Sequence, residues 1–298
     1  MKVSGDGVRG VRGALVLLAI LLLSADCSTK ARAIRVGSKN FSEQVLLGEV
    51  VAQALEARGV RVDRKLNLGG SFVCHQALVA GELDLYPEYT GTAFTAILAR
   101  KPVSDPRIVR ETVRTEYRKR WNLVWSPPLG FENTFALVVR GEDAQRLGIR
   151  KISDLAAHPE IRPGFGYEFL EREDGFPGLA KTYGLAFRER PAQMDLGLLY
   201  TALQSRKVDV VAGNSTDGLI DAIGGVVLED DKRYFPPYDA AFVVRAEAWT
   251  RPEVRQFLES LAGKIDAAAM RKMNAQVDKE KRRPEDVAKE FLSGLSRR

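Results

Sequence analysis

The sequence predicts an α/β fold built as two facing lobes, on two observations. The first is the alternation of short apolar strand signals with amphipathic helical runs from Ile34 onward, the βαβα order of a largely parallel sheet. The second is an internal repeat. Ala77-Leu78 stands seven residues ahead of Asp84, and 125 residues later Ala202-Leu203 stands seven ahead of Asp209, each time as a helix end followed by a short strand. Five residues beyond the aspartate lie Tyr89 in one copy and Asn214 in the other, just after a strand and beside residues suited to opening a helix, Thr90-Gly91-Thr92 and Ser215-Thr216-Asp217-Gly218. Ligands of α/β sheets collect at the carboxyl ends of strands and at helix amino termini. Two such units imply a cleft between two lobes.

Each element follows from local pattern. Ile34-Arg35-Val36-Gly37 reads as a strand, and Asn40 with Glu43 three residues later as a capping box for the next helix. In that helix Leu47, Val50, Val51, Ala54 and Leu55 recur on one face, and Gly59 stops it. The alternation in Val60-Arg61-Val62-Asp63-Arg64 predicts a strand, Gly69-Gly70-Ser71 a second helix through Leu78, and Leu83-Asp84-Leu85 the next strand. A second unit starts near Thr134 with the strand Phe135–Val139, followed by a helix cap and start at Ser153-Asp154-Leu155. The stretches Arg162–Tyr167 and Asp174–Gly178 are rich in Gly and Pro and read as loops. Pro236-Pro237-Tyr238 leads into the strand Ala241–Val244, and a proline pair between two strands suits a stiff crossing segment. From Pro252 the chain is helical, with Phe257, Leu258, Leu261, Ile265 and Ala268-Ala269 as its apolar stripe. Lys279–Arg283 is a solvated basic connection before a last helix, Glu285 to Leu295.

Composition narrows the function. At 298 residues and 45% hydrophobic content the chain can bury an ample core. Lys2, Arg9 and Arg12 precede the ten-residue apolar run Ala14 to Leu23, too short to span a bilayer, and Ala31-Arg32-Ala33 offers small residues for cleavage. Residues 1–33 are therefore expected to be a signal peptide and the mature protein to be periplasmic. Anchoring through Cys27 as a lipoprotein is the alternative, and Asp26 directly before that cysteine argues against it. Removing the segment takes away five basic and two acidic residues, lowering the net charge from +6 to +3. Basic residues are scattered rather than clustered with aromatics, which excludes a nucleic-acid partner. The mature chain keeps one cysteine, Cys74, so no intramolecular disulfide forms.

Catalytic patterns are sparse. Only two histidines occur, and His75 adjoins Cys74 on one helix, where consecutive side chains point about 100° apart, so the pair reads as packing and surface rather than a dyad. No zinc-ligand spacing, nucleophile elbow or phosphate loop occurs, and Gly164-Phe165-Gly166 lacks the third glycine of a dinucleotide loop. Glu229-Asp230-Asp231 reads as a solvated turn rather than a metal site. Neither metal nor cofactor is expected, and the protein is not expected to be an enzyme. Aromatic residues carry more: Tyr89, Phe135 and Tyr238 each fall where two lobes meet, and a cluster of ring faces attracts a cation that cannot donate hydrogen bonds.

Five segments together resemble the binding proteins of osmoprotectant ABC importers, which take glycine betaine, choline, carnitine and related compounds. They are Val36–Gln44, Pro87–Thr92, Gly130–Leu137, Ser215-Thr216-Asp217-Gly218 and Phe235–Tyr238, in order across essentially the whole mature chain. The resemblance implies a two-lobed, type II periplasmic-binding-protein-like fold with two crossing segments. Lobe I would comprise residues 34–130 and 238–298, and lobe II residues 131–237. It also implies a monomer that delivers a small quaternary ammonium ligand to ABC permease subunits. Tyr89 and Tyr238 match aromatic-cage tyrosines. Phe135 and Asn214 stand where members of the family carry further tyrosines, so one ring loses its hydroxyl and one is replaced by an amide. Lys39 and Thr92 match positions that hold the ligand carboxylate, Arg172 is a third such contact, and Asn133 brings its backbone carbonyl near the cation. Asn214 and Phe135 leave another zwitterion, such as ergothioneine, as an alternative ligand, and an exported enzyme acting on betaines or choline is the remoter alternative.

Overall fold

The computed structural model describes residues 1–2 and 32–295. Apart from its two ends, the expected signal segment 1–33 lies outside the described residues, as does Cys27. Strand β1 (Ile34–Lys39) is followed by α1 (Ser42–Glu56), β2 (Val62–Gly69), α2 (Ser71–Val79) and β3 (Leu85–Tyr89). A short α3 (Thr90–Thr92) runs into a π-helical turn at Ala93–Ile97, and then come α4 (Pro106–Trp121) and β4 (Leu123–Trp125). Beyond a crossing stretch lie β5 (Phe135–Arg140), α5 (Gly141–Leu147), a 3-10 turn (Ile152–Ala157), β6 (Pro163–Phe165), α6 (Tyr167–Glu171) and α7 (Phe176–Tyr183). β7 (Ala192–Gln193), α8 (Leu199–Gln204), β8 (Val210–Asn214) and β9 (Gly225–Val227) complete this part. The chain crosses again through Pro236-Pro237 to β10 (Ala240–Arg245) and continues as α9 (Ala246–Trp249), α10 (Pro252–Ser260), α11 (Ala267–Asp278) and α12 (Pro284–Leu295).

Two five-stranded sheets result, ordered β2-β1-β3-β10-β4 and β7-β6-β8-β5-β9. They are the same sheet twice. In each, three strands run parallel, and the fourth, β10 or β5, is antiparallel to its neighbours on both sides. The expected parallel core is thus present, and the antiparallel strand in each sheet comes from the crossing topology. The two crossing segments pair with each other through an isolated bridge, Glu132 opposite Asp239, and through Asn133 N–H donating to the Tyr238 carbonyl at 3.1 Å.

The repeat has a common physical cause in both lobes. Asp84 accepts from Arg35 N at 2.8 Å, Nε at 3.0 Å and Nη2 at 2.8 Å. Asp209 accepts from the same three atoms of Arg162, at 3.1, 2.8 and 3.0 Å (the last to Oδ1). The aspartate thereby locks its strand to the first parallel strand of its lobe through a bidentate, charge-assisted pair. The matching sheet orders also superpose Val243-Val244-Arg245 on Val138-Val139-Arg140, 105 residues earlier, and so Tyr238 on Asn133. Each tyrosine expected to line the cleft in the first lobe, Tyr89 or Tyr238, has an asparagine, Asn214 or Asn133, as its counterpart.

Packing explains the elements read correctly. All five apolar residues predicted for α1 are buried, and Leu46 with them, because the helix is covered by β1 and β2 on one side and by α10, α11 and α12 on the other. Each such Leu or Val contributes about 1.5–3 kcal/mol. The last helix and the exposed Lys279–Arg283 connection lie where expected.

Several expectations are corrected. The Asn40–Glu43 capping box does not form: α1 starts at Ser42 without a side-chain cap, and Glu43 turns inward. Strand β2 begins at Val62, and β3 begins at Leu85 because Asp84 is spent on Arg35. Pro163-Gly164-Phe165 is not a loop but the strand β6, buried throughout. Phe176 opens α7 rather than extending a loop, Ser153 sits inside a 3-10 turn, and Ser215–Gly218 forms turns rather than a helix start. His75 is buried rather than at the surface, packed edge-on against Tyr117 and Trp121.

Candidate functional site

A cavity of about 190 Å³ opens between the carboxyl ends of the strands of the two sheets. It gathers every residue singled out in the sequence: Lys39 and Tyr89 at the ends of β1 and β3, Thr92 on α3, Asn133 and Tyr238 on the crossing segments, Phe135 and Asn214 at facing ends of β5 and β8, and Arg172 just after α6. Phe135 and Asn214 are directly opposite each other in the sheet register, which places the retained ring beside the substituted amide.

The polar end is held by two buried ion pairs. Lys39 Nζ lies 2.5 Å from Glu88 Oε1, and Glu88 also accepts from Tyr86 Oη at 3.1 Å and Tyr89 N at 2.7 Å. Arg172 forms a fork with Asp174, Nε to Oδ1 at 2.8 Å and Nη2 to Oδ2 at 2.6 Å, and Nη2 reaches Thr92 Oγ1 at 3.3 Å. Asp174 further accepts from Thr95 Oγ1 and Tyr238 Oη, each at 2.6 Å. Burial alone would push the Asp174 carboxyl up, yet the guanidinium and the two hydroxyls hold it below the ordinary range. Burial likewise opposes the Arg172 charge, and Asp174 outweighs it and raises the guanidinium further. Glu168, four residues before Arg172, accepts from the Ser71 N–H at the start of α2, from Ser71 Oγ at 3.0 Å and from Arg172 Nη1 at 3.4 Å. The donors nearest the cavity thus already serve a carboxylate of the protein.

The apolar end is made of rings. Tyr238 meets Phe135 edge-on at 6.0 Å between centroids, Phe135 meets Phe169 at 4.8 Å, and Phe41 stacks on Tyr89 at 6.5 Å. Lys39 Nζ stands 4.5 Å over the Tyr89 ring and the Arg172 guanidinium 5.0 Å over that of Phe135, so these faces already attract cations in the protein itself. Phe41, Ser71, Glu168 and Phe169 were not singled out as site residues in the sequence. The i, i+4 spacing of Glu168 and Arg172 was the available signal.

Behind the rings lies a hub. Glu43, fully buried, accepts from Tyr89 Oη at 2.6 Å, Asn133 Nδ2 at 2.9 Å, Thr216 Oγ1 at 2.5 Å and Asn274 Nδ2 at 2.8 Å. Burial raises its pKa against the lowering effect of these four donors. One carboxylate thereby fixes a cage tyrosine, a crossing segment, the Ser-Thr-Asp-Gly turn and α11. Asn133 presents a buried Oδ1 with no partner among the described residues. Asn214 is tied to Asp217, which accepts from its N–H at 2.8 Å and its Nδ2 at 3.3 Å and from Tyr200 Oη at 2.6 Å; burial pushes the Asp217 carboxyl up to about 6.

Elsewhere the groups considered for chemistry are spoken for. Burial pushes the Cys74 thiol up to about 12 and His75 down to about 4, which activates neither. Asp230 organises its turn, accepting from Tyr183 Oη and from the Tyr234 and Phe235 N–H groups. Among the described residues no cluster of His, Cys, Asp and Glu is arranged to hold a metal ion, and no helix is long and apolar enough to cross a membrane.

Comparison with known proteins agrees with this geometry. The family described as the substrate binding domain of ABC-type glycine betaine transport systems matches residues 32–294. The chain is 38% identical over 284 residues to the ergothioneine transport permease/ergothioneine binding protein of Helicobacter pylori (strain G27). That match covers 94% of this chain and 51% of the relative, so the chain spans about half the relative's length. It is 32% identical over 289 residues to the carnitine transport binding protein of Listeria monocytogenes, covering 93% of this chain and 94% of that one. The crystal structure of a glycine betaine/carnitine/choline ABC transporter superposes with a TM-score of 0.72 at 32% identity, covering 88% of this chain and 98% of that one. With the match running through both lobes and both crossing segments, the chain belongs to the substrate-binding domains of ABC-type glycine betaine transport systems.

Proposed function

We propose that the protein is an extracytoplasmic, periplasmic solute-binding protein that captures a quaternary ammonium compound of the glycine betaine or choline type and delivers it, as a monomer, to an ABC permease. One observation carries this reading: a single cavity joins the rings of Phe41, Tyr89, Phe135 and Tyr238 to the Arg172, Thr92 and Ser71 donors. A betaine is a zwitterion and asks for both. Ring faces and Asn133 Oδ1, which has no partner among the described residues, suit a cation with no hydrogen to donate, and the donors outside the Arg172–Asp174 fork, Thr92 Oγ1 with the Arg172 Nη1 and Ser71 Oγ now shared with Glu168, suit a carboxylate. Lobes of this kind close on their ligand by hinge motion, and here the crossing segments are the hinge, with Glu43–Thr216, Ser71–Glu168 and Thr95–Asp174 hydrogen bonds as the closing contacts.

The reading contains no bond-making step. Mass spectrometry should recover glycine betaine unchanged after incubation with the protein, and any conversion would sink the carrier reading. Titration calorimetry against glycine betaine, choline, carnitine and ergothioneine should find micromolar or tighter binding for at least one of them, and no binding below millimolar for any would end it. A second reading, a larger zwitterion such as ergothioneine, is favoured by Asn214, which replaces ring area with an amide beside Phe135.

A further inference from the structure

Arg107, Arg110, Arg114 and Arg118 recur along α4 at i, i+3, i+7 and i+11, a single stripe about 16 Å long. The stripe lines a groove of about 1030 Å³ together with Lys119 of the same helix, the strand β4, Pro128 and Trp249. Five basic side chains and one acidic one, Glu111, border it, an excess of four positive charges against +3 for the whole chain beyond residue 33. Spaced out in the sequence, these cations are gathered by the helix. We propose that this face docks the protein onto an anionic phospholipid surface, independently of which ligand the cleft takes.

Helix stability does not account for the stripe. Like charges at i, i+3 and i, i+4 repel, and Arg107 and Arg110 lie toward the amino end of α4, where the helix dipole disfavours a cation. Internal ion pairs account for only part of it. Arg107 meets the capping Asp105 at 3.2 Å and Arg110 reaches Asp239 at 3.7 Å, whereas Arg114, Arg118 and Lys119 are exposed and have no ion pair among the described residues. The arginines that serve fixed partners, Arg35 and Arg172, are held in bidentate forks by a single aspartate each. The cations of α4 have no such anchoring and border a groove far larger than the 190 Å³ cavity, which suits a diffuse negative surface rather than one small anion. An acidic peptide would gain affinity by adding a strand to the sheet edge at β4, but Leu123 and Trp125 there are only 1% and 5% exposed, so that edge is covered. Trp249, half-buried at the groove, places an indole beside the cations, a side chain suited to the headgroup layer of a bilayer.

Co-sedimentation of the full chain with phosphatidylcholine vesicles, with and without about 30% phosphatidylglycerol, tests the proposal. The wild type should bind the anionic vesicles at least tenfold more tightly than the neutral ones, and the preference should fade as salt rises from about 0.05 to 0.5 M. A basic residue near such a surface is worth about fivefold in affinity, so Arg114→Gln combined with Arg118→Gln should weaken binding to the anionic vesicles at least tenfold. Lys181→Gln combined with Lys207→Gln removes the same charge from exposed positions away from the groove and should change it less than threefold. Residues 1–33 are common to every variant and cancel in the comparison. No preference of the wild type for anionic vesicles, or equal losses for the two variant pairs, would overturn the proposal. Binding to a poly-glutamate peptide without binding to vesicles would overturn it in favour of an acidic protein partner.

Discussion

Asp174→Ala is the perturbation with the largest expected effect on the site's framework. The residue is fully buried and carries the Arg172 fork at 2.8 and 2.6 Å, together with the Thr95 and Tyr238 hydroxyls. Thr95 keeps the Gly91 carbonyl as an alternative acceptor at 2.7 Å, so the main loss is the partner of a buried guanidinium. Breaking such a pair costs about 3–5 kcal/mol. At about 2–4 °C per kcal/mol for a chain of this size, the ligand-free unfolding midpoint should fall by roughly 6–20 °C. Arg172→Met should cost a similar amount by stranding Asp174. The double variant, with neither charge left to desolvate, should recover at least about 2 kcal/mol relative to the sum of the two singles. Thermal and urea unfolding followed by circular dichroism give all four corners of the cycle. Additive losses, or a single-variant loss below about 1 kcal/mol, would show that Arg172 and Asp174 are not a mutually dependent buried pair. The acid dependence has a definite sign: the folded pKa is depressed, so the carboxylate's contribution is present above the unfolded value and lost only as pH falls through the folded one. The gap between wild type and variant should therefore stay constant from pH 7 down to about 4 and shrink below it.

Other expected outcomes concern single residues. Asp217, whose carboxyl is pushed up to about 6 by burial, has the opposite linkage: its contribution is fully present below the ordinary aspartate value and is lost as pH rises through 6. Unfolding titrations should show the wild type gaining about 2 kcal/mol on Asp217→Asn as pH falls from 7 to 4, and a pH-independent difference would contradict the buried placement. Glu168→Ala frees the Ser71 and Arg172 donors, so the ratio of glycine betaine to choline affinity should rise about tenfold, ~1.4 kcal/mol. An unchanged ratio would show that these donors do not meet a ligand carboxylate. Asn214→Tyr should tighten glycine betaine by ~0.5–2 kcal/mol through the restored ring, and an unchanged or weaker calorimetric affinity would show that no ring is missing at that position.

Much of the fold was legible because local pattern and tertiary context agree. The apolar face of α1 is buried as written, and the repeat around Asp84 and Asp209 marks the same strand in both lobes. Helix α4 carries equally plain signals, Asp105 as its cap, Pro106 at its first turn and Asn122 in the left-handed conformation at its end. Strand β6 was hidden because its composition serves packing rather than propensity. Pro163 occupies the first position, where its missing N–H is tolerated, and Gly164 lies so close to Val208 and Met194 that an added Cβ would meet them at 2.8 and 3.0 Å. At the site, the motif positions came together in one cavity, but their partners did not show. Glu43 carries the spacing of a helix cap, and only the fold reveals that Tyr89, Asn133, Thr216 and Asn274 converge on it from four distant segments. Lys39, expected at the ligand carboxylate, lines the cavity and is also paired with Glu88, a contact decided by how β1 and β3 lie side by side.

On the proposed reading, this cavity recognises the positive charge of a quaternary ammonium group through ring faces, not merely its bulk. Calorimetry of glycine betaine beside its carbon isostere tert-butylacetate, which has the same shape and carboxylate without the positive charge, separates charge from bulk. Glycine betaine should bind at least tenfold more tightly than the isostere, and Tyr238→Leu should remove most of the difference. Equal affinity of the two compounds for the wild type would contradict that reading.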